Sequence, residues 1–384
     1  MKKKLLIVGP FGDHGGRDVE ANIIAKSLEQ YFHTTVLSTG YMTENSFALS
    51  GLQQTTWKSI PKELYHNHFW LRSLSLFSKT FNKGSKQAYG YLINSFSKKT
   101  TDLHGLYWKQ IREELMHADL VLLCVQLTTK FLKEIVFYCQ ENKIPCIVRT
   151  TGTIRDVPAE DFDFLKKVSL FVHHSEANAN NLNKQLSLPY AVIDQCALAE
   201  SSLLENKVTP KKPYRFGYLG RLSAEKGIVP IAHFFAETNL PFIIAGDGKQ
   251  KEEVLDIIKG KADCSYLGLV SNENIHHFFE QIDVLVIPSF EESGPLVGLE
   301  AMAAGKLIVS TKVGAMEERL NGLKSCWFTI ENVSSLQKCI EEINDLTENE
   351  YQQISIQLQE RYKNEYSTTA IASKYKAVAQ KMLS

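Results

Sequence analysis

The sequence predicts an α/β protein built of two doubly wound parallel sheets, one in each half of the chain. Short apolar runs rich in β-branched residues alternate with helical patterns almost throughout, as successive strand–helix–strand units require. The alternation breaks at a polar stretch, 200–213, which holds two prolines and a Lys-Lys pair, and it restarts beyond. At about 150 residues per domain, 384 residues fit two or three such units.

Residues 5–8 read as a buried strand, followed by a glycine-rich loop and a helix over about 18–31. That helix sets Val19, Ile23, Ile24 and Leu28 on one face. Strand–helix units follow at 120–124 with 131–140, 145–148 with 162–167, and 170–172 with 176–185. A last strand of this half lies at 191–193. The expected division is a first domain of 1–199, a linker of 200–213 and a second domain of 214–365. In the second domain, strands are expected at 214–219, 242–245, 266–267, 284–287 and 307–309, each leading into a loop and a helix. Beyond Ser334 the pattern is helical to the end.

Composition removes several classes. With 44% hydrophobic and 10% aromatic residues the chain is not disordered. Its 43 Lys+Arg against 43 Asp+Glu argue against a nucleic-acid binder, which carries a basic excess. The basic start Met1-Lys2-Lys3-Lys4 imitates an export signal, but its apolar run ends after four residues and Asp13, Arg17 and Asp18 follow. No run approaches the roughly 18 apolar residues of a membrane span. Seven cysteines without C-x-x-C spacing fit a reduced, cytoplasmic chain. The neutral total conceals a polarised segment. Residues 51–110 hold nine Lys/Arg, two acids and eleven aromatics, a net +7, and leave −7 for the rest.

Ligands of open parallel sheets bind beyond the carboxyl ends of the strands, beside helix N-termini. After the first strand, Gly9-Pro10-Phe11-Gly12-Asp13-His14-Gly15-Gly16-Arg17 departs from the dinucleotide fingerprint. Gly15 and Gly16 permit close backbone approach by a phosphate or substrate that His14 could also contact, and an ordinary flexible turn is the alternative. After 214–219, Gly220 precedes Arg221 and Lys226, two cations able to clamp a diphosphate or merely to sit on the surface. After 284–287, the stretch 288–305 places Glu292 at a helix mouth and Glu300 inside an otherwise small, apolar helix. A carboxylate buried there needs hydrogen-bonding partners, and sugar hydroxyls would serve. His173-His174 would point to opposite faces of a strand, so Ser175 as a helix cap is preferred to a metal pair. Glu317 and Glu318 are expected to open a helix.

Four segments then occur in one order: Gly220-Arg221-x4-Lys226-Gly227, Ala245-Gly246-Asp247-Gly248, Glu292-x7-Glu300, and Glu300-Ala301-Met302-Ala303-Ala304-Gly305. With them, residues 214–330 resemble the nucleotide-binding half of the large family-four retaining glycosyltransferases (glycosyl transferases group 1, E-x7-E type). The N-terminal half is similar only through Gly15-Gly16 and the alternation. The resemblance implies the GT-B fold, two Rossmann-like domains facing across a cleft, with a C-terminal helix over 366–384 packing back on the first. It implies a hexosyl transfer from a nucleotide sugar, a UDP-sugar before a GDP-sugar, to an acceptor hydroxyl, without a metal. Arg221 and Lys226 would hold the diphosphate and Glu300 the ribose. Glu292 would hold the transferred sugar, while Ser293 and the backbone of Gly294, Pro295 and Leu296 would meet donor oxygens, with Gly220 and Gly246 in the same site. Gly15 and Gly16 would face the donor and acceptor from the other lobe, and His14, Arg149 and Thr150 would lie on the acceptor side.

The chain departs from the family at three places. Arg149-Thr150-Thr151-Gly152-Thr153 stands where a histidine is common, Asp194-Gln195-Cys196 replaces an Asn-Gly turn, and Ser293-Gly294-Pro295 replaces Gly-Phe-Gly. These bear on sugar and acceptor rather than on reaction class. The setting expected is bacterial surface polysaccharide or glycoconjugate synthesis, with a glycan or lipid-linked acceptor. Segment 51–110 would hold the protein against the anionic inner face of the cell membrane, or else form a solvated helical insertion with its aromatics packed inward. A sugar-nucleotide epimerase and a non-catalytic two-lobed binding protein are the alternatives. A dehydrogenase lacks its fingerprint.

Overall fold

Leu5, Leu6, Ile7 and Val8 are buried on both faces of the first strand, as the centre of a helix-covered parallel sheet demands. The computed structural model describes residues 2–152, 154 and 157–383. Its first seven strands are β1 (Lys4–Gly9), β2 (His33–Ser38), β3 (Thr56–Ser59), β4 (Leu120–Val125), β5 (Cys146–Thr150), β6 (Leu170–His173) and β7 (Tyr190–Val192). They form one sheet in the order β3-β2-β1-β4-β5-β6-β7, and each neighbouring pair is parallel. The order reverses between β1 and β4, which makes that gap the switch point.

The second sheet joins β8 (Phe216–Leu219), β9 (Phe242–Ala245), β10 (Cys264–Tyr266), β11 (Val284–Ile287), β12 (Leu307–Ser310) and β13 (Cys326–Trp327). Its order is β10-β9-β8-β11-β12-β13, again parallel throughout, with the switch point between β8 and β11. Each sheet has its own core. Val8, Leu123, Val148 and Phe171 belong to the first, and Phe216, Ile244, Val286 and Val309 to the second. Two Rossmann-like α/β domains are thus present, as the sequence predicts.

Sequence reasoning named no strand at β2, β3 or β13. Strand β2 carries Thr34 and Thr35 beside an exposed His33, β3 is a half-exposed edge strand, and β13 has two residues. Each lacks the long apolar run of a central strand. The helix after β1 runs Gly16–Leu28, two residues earlier at its start than the periodicity suggests and three shorter at its end.

The chain forms two compact units. One comprises Met1–His173, Ala179–Ile193 and Ala372–Ser384, and the other His174–Asn178 and Asp194–Ile371. The stretch expected as a linker lies inside the second unit. Its helix Glu200–Leu204 buries Leu203, and the Glu200 carboxylate accepts hydrogen bonds from Tyr362 Oη at 2.8 Å and from the Thr368 backbone at 2.6 Å. The last helix, Thr368–Leu383, joins the first unit from Ala372 onward. There Tyr375 donates to Glu20 at 2.9 Å, and Glu20 in turn pairs with Arg149 at 2.9 Å.

Candidate active site

At the switch point of the second sheet, the loops after β8 and β11 are locked together by close backbone approach. Gly227, at φ +63°, opens the helix Ile228–Ala236, and a Cβ there would lie 2.0 Å from the Pro288 carbonyl. Only glycine satisfies both conditions. Phe290 N–H donates to the Glu225 carbonyl at 2.9 Å. Side chains then bridge the same loops, because Lys226 Nζ donates to Glu292 Oε1, which also accepts from Ser289 Oγ at 3.0 Å. Lys226 and Glu292 keep 24% and 14% of their side chains exposed, so a ligand can reach this pair. Arg221 projects freely, 71% exposed, with Glu225 at 3.7 Å.

The loop after β9 supports Gly220 from the other side. A Cβ on Gly246 (φ +137°) would strike the Gly220 carbonyl at 1.8 Å, and Leu222 N–H donates to Asp247 O at 2.9 Å. Gly220, Arg221, Lys226 and Gly246 therefore share one rigid loop cluster with Glu292.

Ser293, Gly294 and Pro295 lead into the helix Leu296–Ala303, whose first N–H groups have no partner within the helix. Two residues that sequence reasoning missed hold this approach. Gly314 (φ +54°) lets its backbone pass where a Cβ would meet Ser293 O at 2.6 Å. Arg319, wholly buried, pairs bidentately with Asp194 through two bonds of 2.7 Å and donates a third to Pro295 O at 2.5 Å. Nothing in the local sequence marks a pair 125 positions apart. A run of Gly314 to Arg319 after a strand is the only hint.

Glu300 lies in the middle of this helix at 4% exposure, and burial pushes its carboxyl up to about 8. Among the described residues its carboxyl has no hydrogen-bond partner. A hydroxyl-bearing ligand would supply one.

In the first unit, His14, Gly15 and Gly16 are exposed at the mouth of the helix Gly16–Leu28. The His14 ring meets Phe47 edge-on at 4.7 Å. Asp18 fills the first turn of that helix and accepts from Gly12 N–H at 2.8 Å, so a carboxylate already stands where an anion would dock. Arg149 and Thr150 are not surface groups. The Arg149 guanidinium, 0% exposed, is held by Glu20 and the Ile193 carbonyl, while Thr150 Oγ1 contacts His173 Nδ1 at 2.8 Å. Their assignment to the acceptor side is corrected: a cation at a parallel strand end reads as exposed, but Glu20 supplies a buried counter-charge. Thr153 lies outside the described residues. Ser175 Oγ accepts from Asn178 N–H at 3.1 Å as a helix cap, and Glu317 and Glu318 stand in the helix Met316–Arg319. Among the described residues no three His, Cys, Asp or Glu side chains gather in a metal-binding cluster.

A pair of doubly wound sheets, with charged and glycine-rich loops at the second switch point, defines a two-domain Rossmann-like α/β protein. Within it, residues 201–366 match the family described as Glycosyl transferases group 1. Over 176 residues, 41% of this chain, the sequence is 28% identical to the lipopolysaccharide 1,2-N-acetylglucosaminetransferase of Salmonella typhimurium. The match spans 46% of that relative, so the chain covers under half of its length. A glycosyltransferase from Rickettsia africae has the same fold at a TM-score of 0.72 and 14% identity, over 100% of this chain and 99% of that one. Anabaena Alr3699/HepE in complex with UDP matches at a TM-score of 0.70 and 15% identity, over 98% and 100%.

Proposed function

We propose that this protein is a retaining glycosyltransferase that moves a hexose from a nucleotide-diphosphate sugar to an acceptor hydroxyl. The observation that carries the reading is the Lys226–Glu292 pair at the second switch point, with the unpartnered carboxyl of Glu300 in the adjoining helix. The group 1 domain over the same residues supports it.

Arg221 and Lys226 balance the charge of the leaving diphosphate, and the N–H groups opening the helix Leu296–Ala303 add fixed positive dipoles. Glu300 accepts from the ribose hydroxyls. Glu292 accepts from hydroxyls of the transferred sugar and so orients its anomeric carbon. The acceptor oxygen bonds to that carbon as the bond to the diphosphate oxygen breaks. Its proton passes to the leaving phosphate on the same face, which preserves configuration without a covalent intermediate or a metal. A uridine nucleotide is favoured, in line with the UDP held by the Anabaena protein. The Salmonella relative's lipopolysaccharide role supports synthesis of a bacterial surface glycan.

Segment 51–110 supports a peripheral place on an anionic membrane. Phe69 and Trp70 are 77% and 57% exposed, and Phe77, Phe81 and Phe96 are exposed with them among Arg72, Lys79, Lys98 and Lys99. Only part of the aromatic set, including Tyr89 and Tyr107, packs inward. No helix among the described residues is long and apolar enough to cross a membrane.

The test is turnover of nucleotide sugars. Glu292→Ala and Lys226→Ala should each lower kcat/KM roughly a hundredfold or more while the thermal midpoint holds, since both lie at loop edges. Near-native turnover in either variant sinks the assignment, and loss of activity in a chelator sinks its metal-free part. Conversion of the donor sugar without any acceptor would mark an epimerase instead.

A further inference from the structure

A cavity of about 620 Å³ opens within the first unit, apart from the residues of the second switch point. It lies at the carboxyl edge of the first sheet. Pro10 follows β1, Thr39 follows β2, and Lys130 and Phe131 follow β4, so the cavity sits at the switch point where open α/β sheets take their ligands. Its floor is aromatic: Phe131 stacks with Tyr107 at 6.0 Å and meets the His104 ring at 4.8 Å. Phe131 holds this place with a left-handed backbone, φ +69°, which is strained for an aromatic residue and is typical of ligand clamps. The Tyr107 hydroxyl is buried and has no hydrogen-bond partner among the described residues. Two ammonium groups on the lining, Lys98 and Lys130, are exposed and in no ion pair among the described residues. The one lining carboxylate, Asp102, is engaged in capping the helix Leu103–Leu115 through Gly105 N–H at 2.9 Å.

We infer that this cavity receives a phosphate-bearing sugar as the acceptor, its ring against Phe131 and Tyr107 and its phosphate toward Lys98 and Lys130. A sugar presents C–H faces to aromatic rings and hydroxyls to a lone phenol, and a phosphate satisfies two ammonium groups that no protein carboxylate neutralises. The inference rests on the transferase reading, and it fixes the acceptor's charge class. The phosphate can belong to a free sugar phosphate or to a lipid-linked sugar.

The experiment titrates the full chain, saturated with UDP, with glucose, galactose, mannose and N-acetylglucosamine 6-phosphates. The methyl glycosides of the same sugars, and the sugars carried on undecaprenyl phosphate in detergent micelles, complete the set. At least one phosphate-bearing probe should bind tenfold or more tighter than its methyl glycoside. Lys98→Ala with Lys130→Ala should remove that margin, while Tyr107→Phe should weaken every bound probe severalfold at an unchanged thermal midpoint. Which phosphate probe responds identifies the source. Equal binding of phosphates and glycosides, or wild-type binding by the double lysine variant, overturns the inference. UDP binding in the same cell separates the failures: if UDP binds and the phosphate preference is missing, only this inference falls. If neither UDP nor GDP binds, the transferase reading falls and takes this inference with it.

Discussion

At the scale of single residues, Glu300 makes the sharpest claim. Its carboxyl is raised to about 8 by burial, so the folded state holds the proton more tightly than the unfolded chain does. Stability from this group is therefore fully present below its unfolded pKa and is lost as pH rises through about 8, by about 1.4 kcal/mol per pH unit. Urea unfolding from about pH 5 to about pH 8 should show this decline, and Glu300→Gln should flatten it. Ribose hydroxyls prefer the ionised carboxylate, so UDP should bind more tightly as pH rises over the same range, and Glu300→Gln should remove that trend. Glu292 and Lys226 stood out in the sequence as charged residues in glycine-bearing loops after strands, and Glu300 as a carboxylate inside a small, apolar helix. Arg149 was placed on the acceptor side through the family resemblance alone. What neutralises it, Glu20, lies in the helix Gly16–Leu28 after β1 while Arg149 lies in β5, and no spacing rule joins them.

At the scale of elements, the second switch point depends on glycines as much as on charges. Gly227→Ala would set a Cβ 2.0 Å from Pro288 O at a φ of +63°, so the loops after β8 and β11 must part. The expected cost is about 1–3 kcal/mol of stability, read by urea unfolding, together with a weaker UDP affinity read by calorimetry. A similar substitution at Gly16, with nothing within 4 Å of a Cβ, should leave stability nearly unchanged. Central strands such as β1, β4 and β11 were readable because burial on both faces demands unbroken apolar runs. Strands β2, β3 and β13 were not, because threonines, an exposed edge and a length of two residues leave little for periodicity to register.

At the scale of the whole molecule, segment 51–110 is where sequence reading left two outcomes open. Exposure of Phe69, Trp70, Phe77, Phe81 and Phe96 beside basic residues favours attachment to a surface. In flotation, the protein should rise with vesicles containing anionic lipid and stay behind with neutral ones. Replacing Phe69, Trp70 and Phe81 by serine should abolish flotation without unfolding, since all three are exposed. Recovery of the serine variant with the anionic vesicles would remove the membrane from the account. The first unit's dependence on the last helix can be tested separately. Tyr375→Phe strips a hydrogen bond from the buried Glu20 carboxylate and should lower stability by about 1–3 kcal/mol in urea unfolding.

The interleaving of the two units along the chain has a consequence for synthesis. Asp194–Ile371 is almost the whole of the second unit and leaves the ribosome as one run, ready to collapse on its own core. The first unit begins earlier yet finishes later. Until Tyr375 emerges, the Glu20–Arg149 pair lacks the phenol that completes its network. The half of the protein made first is thus the half that closes last.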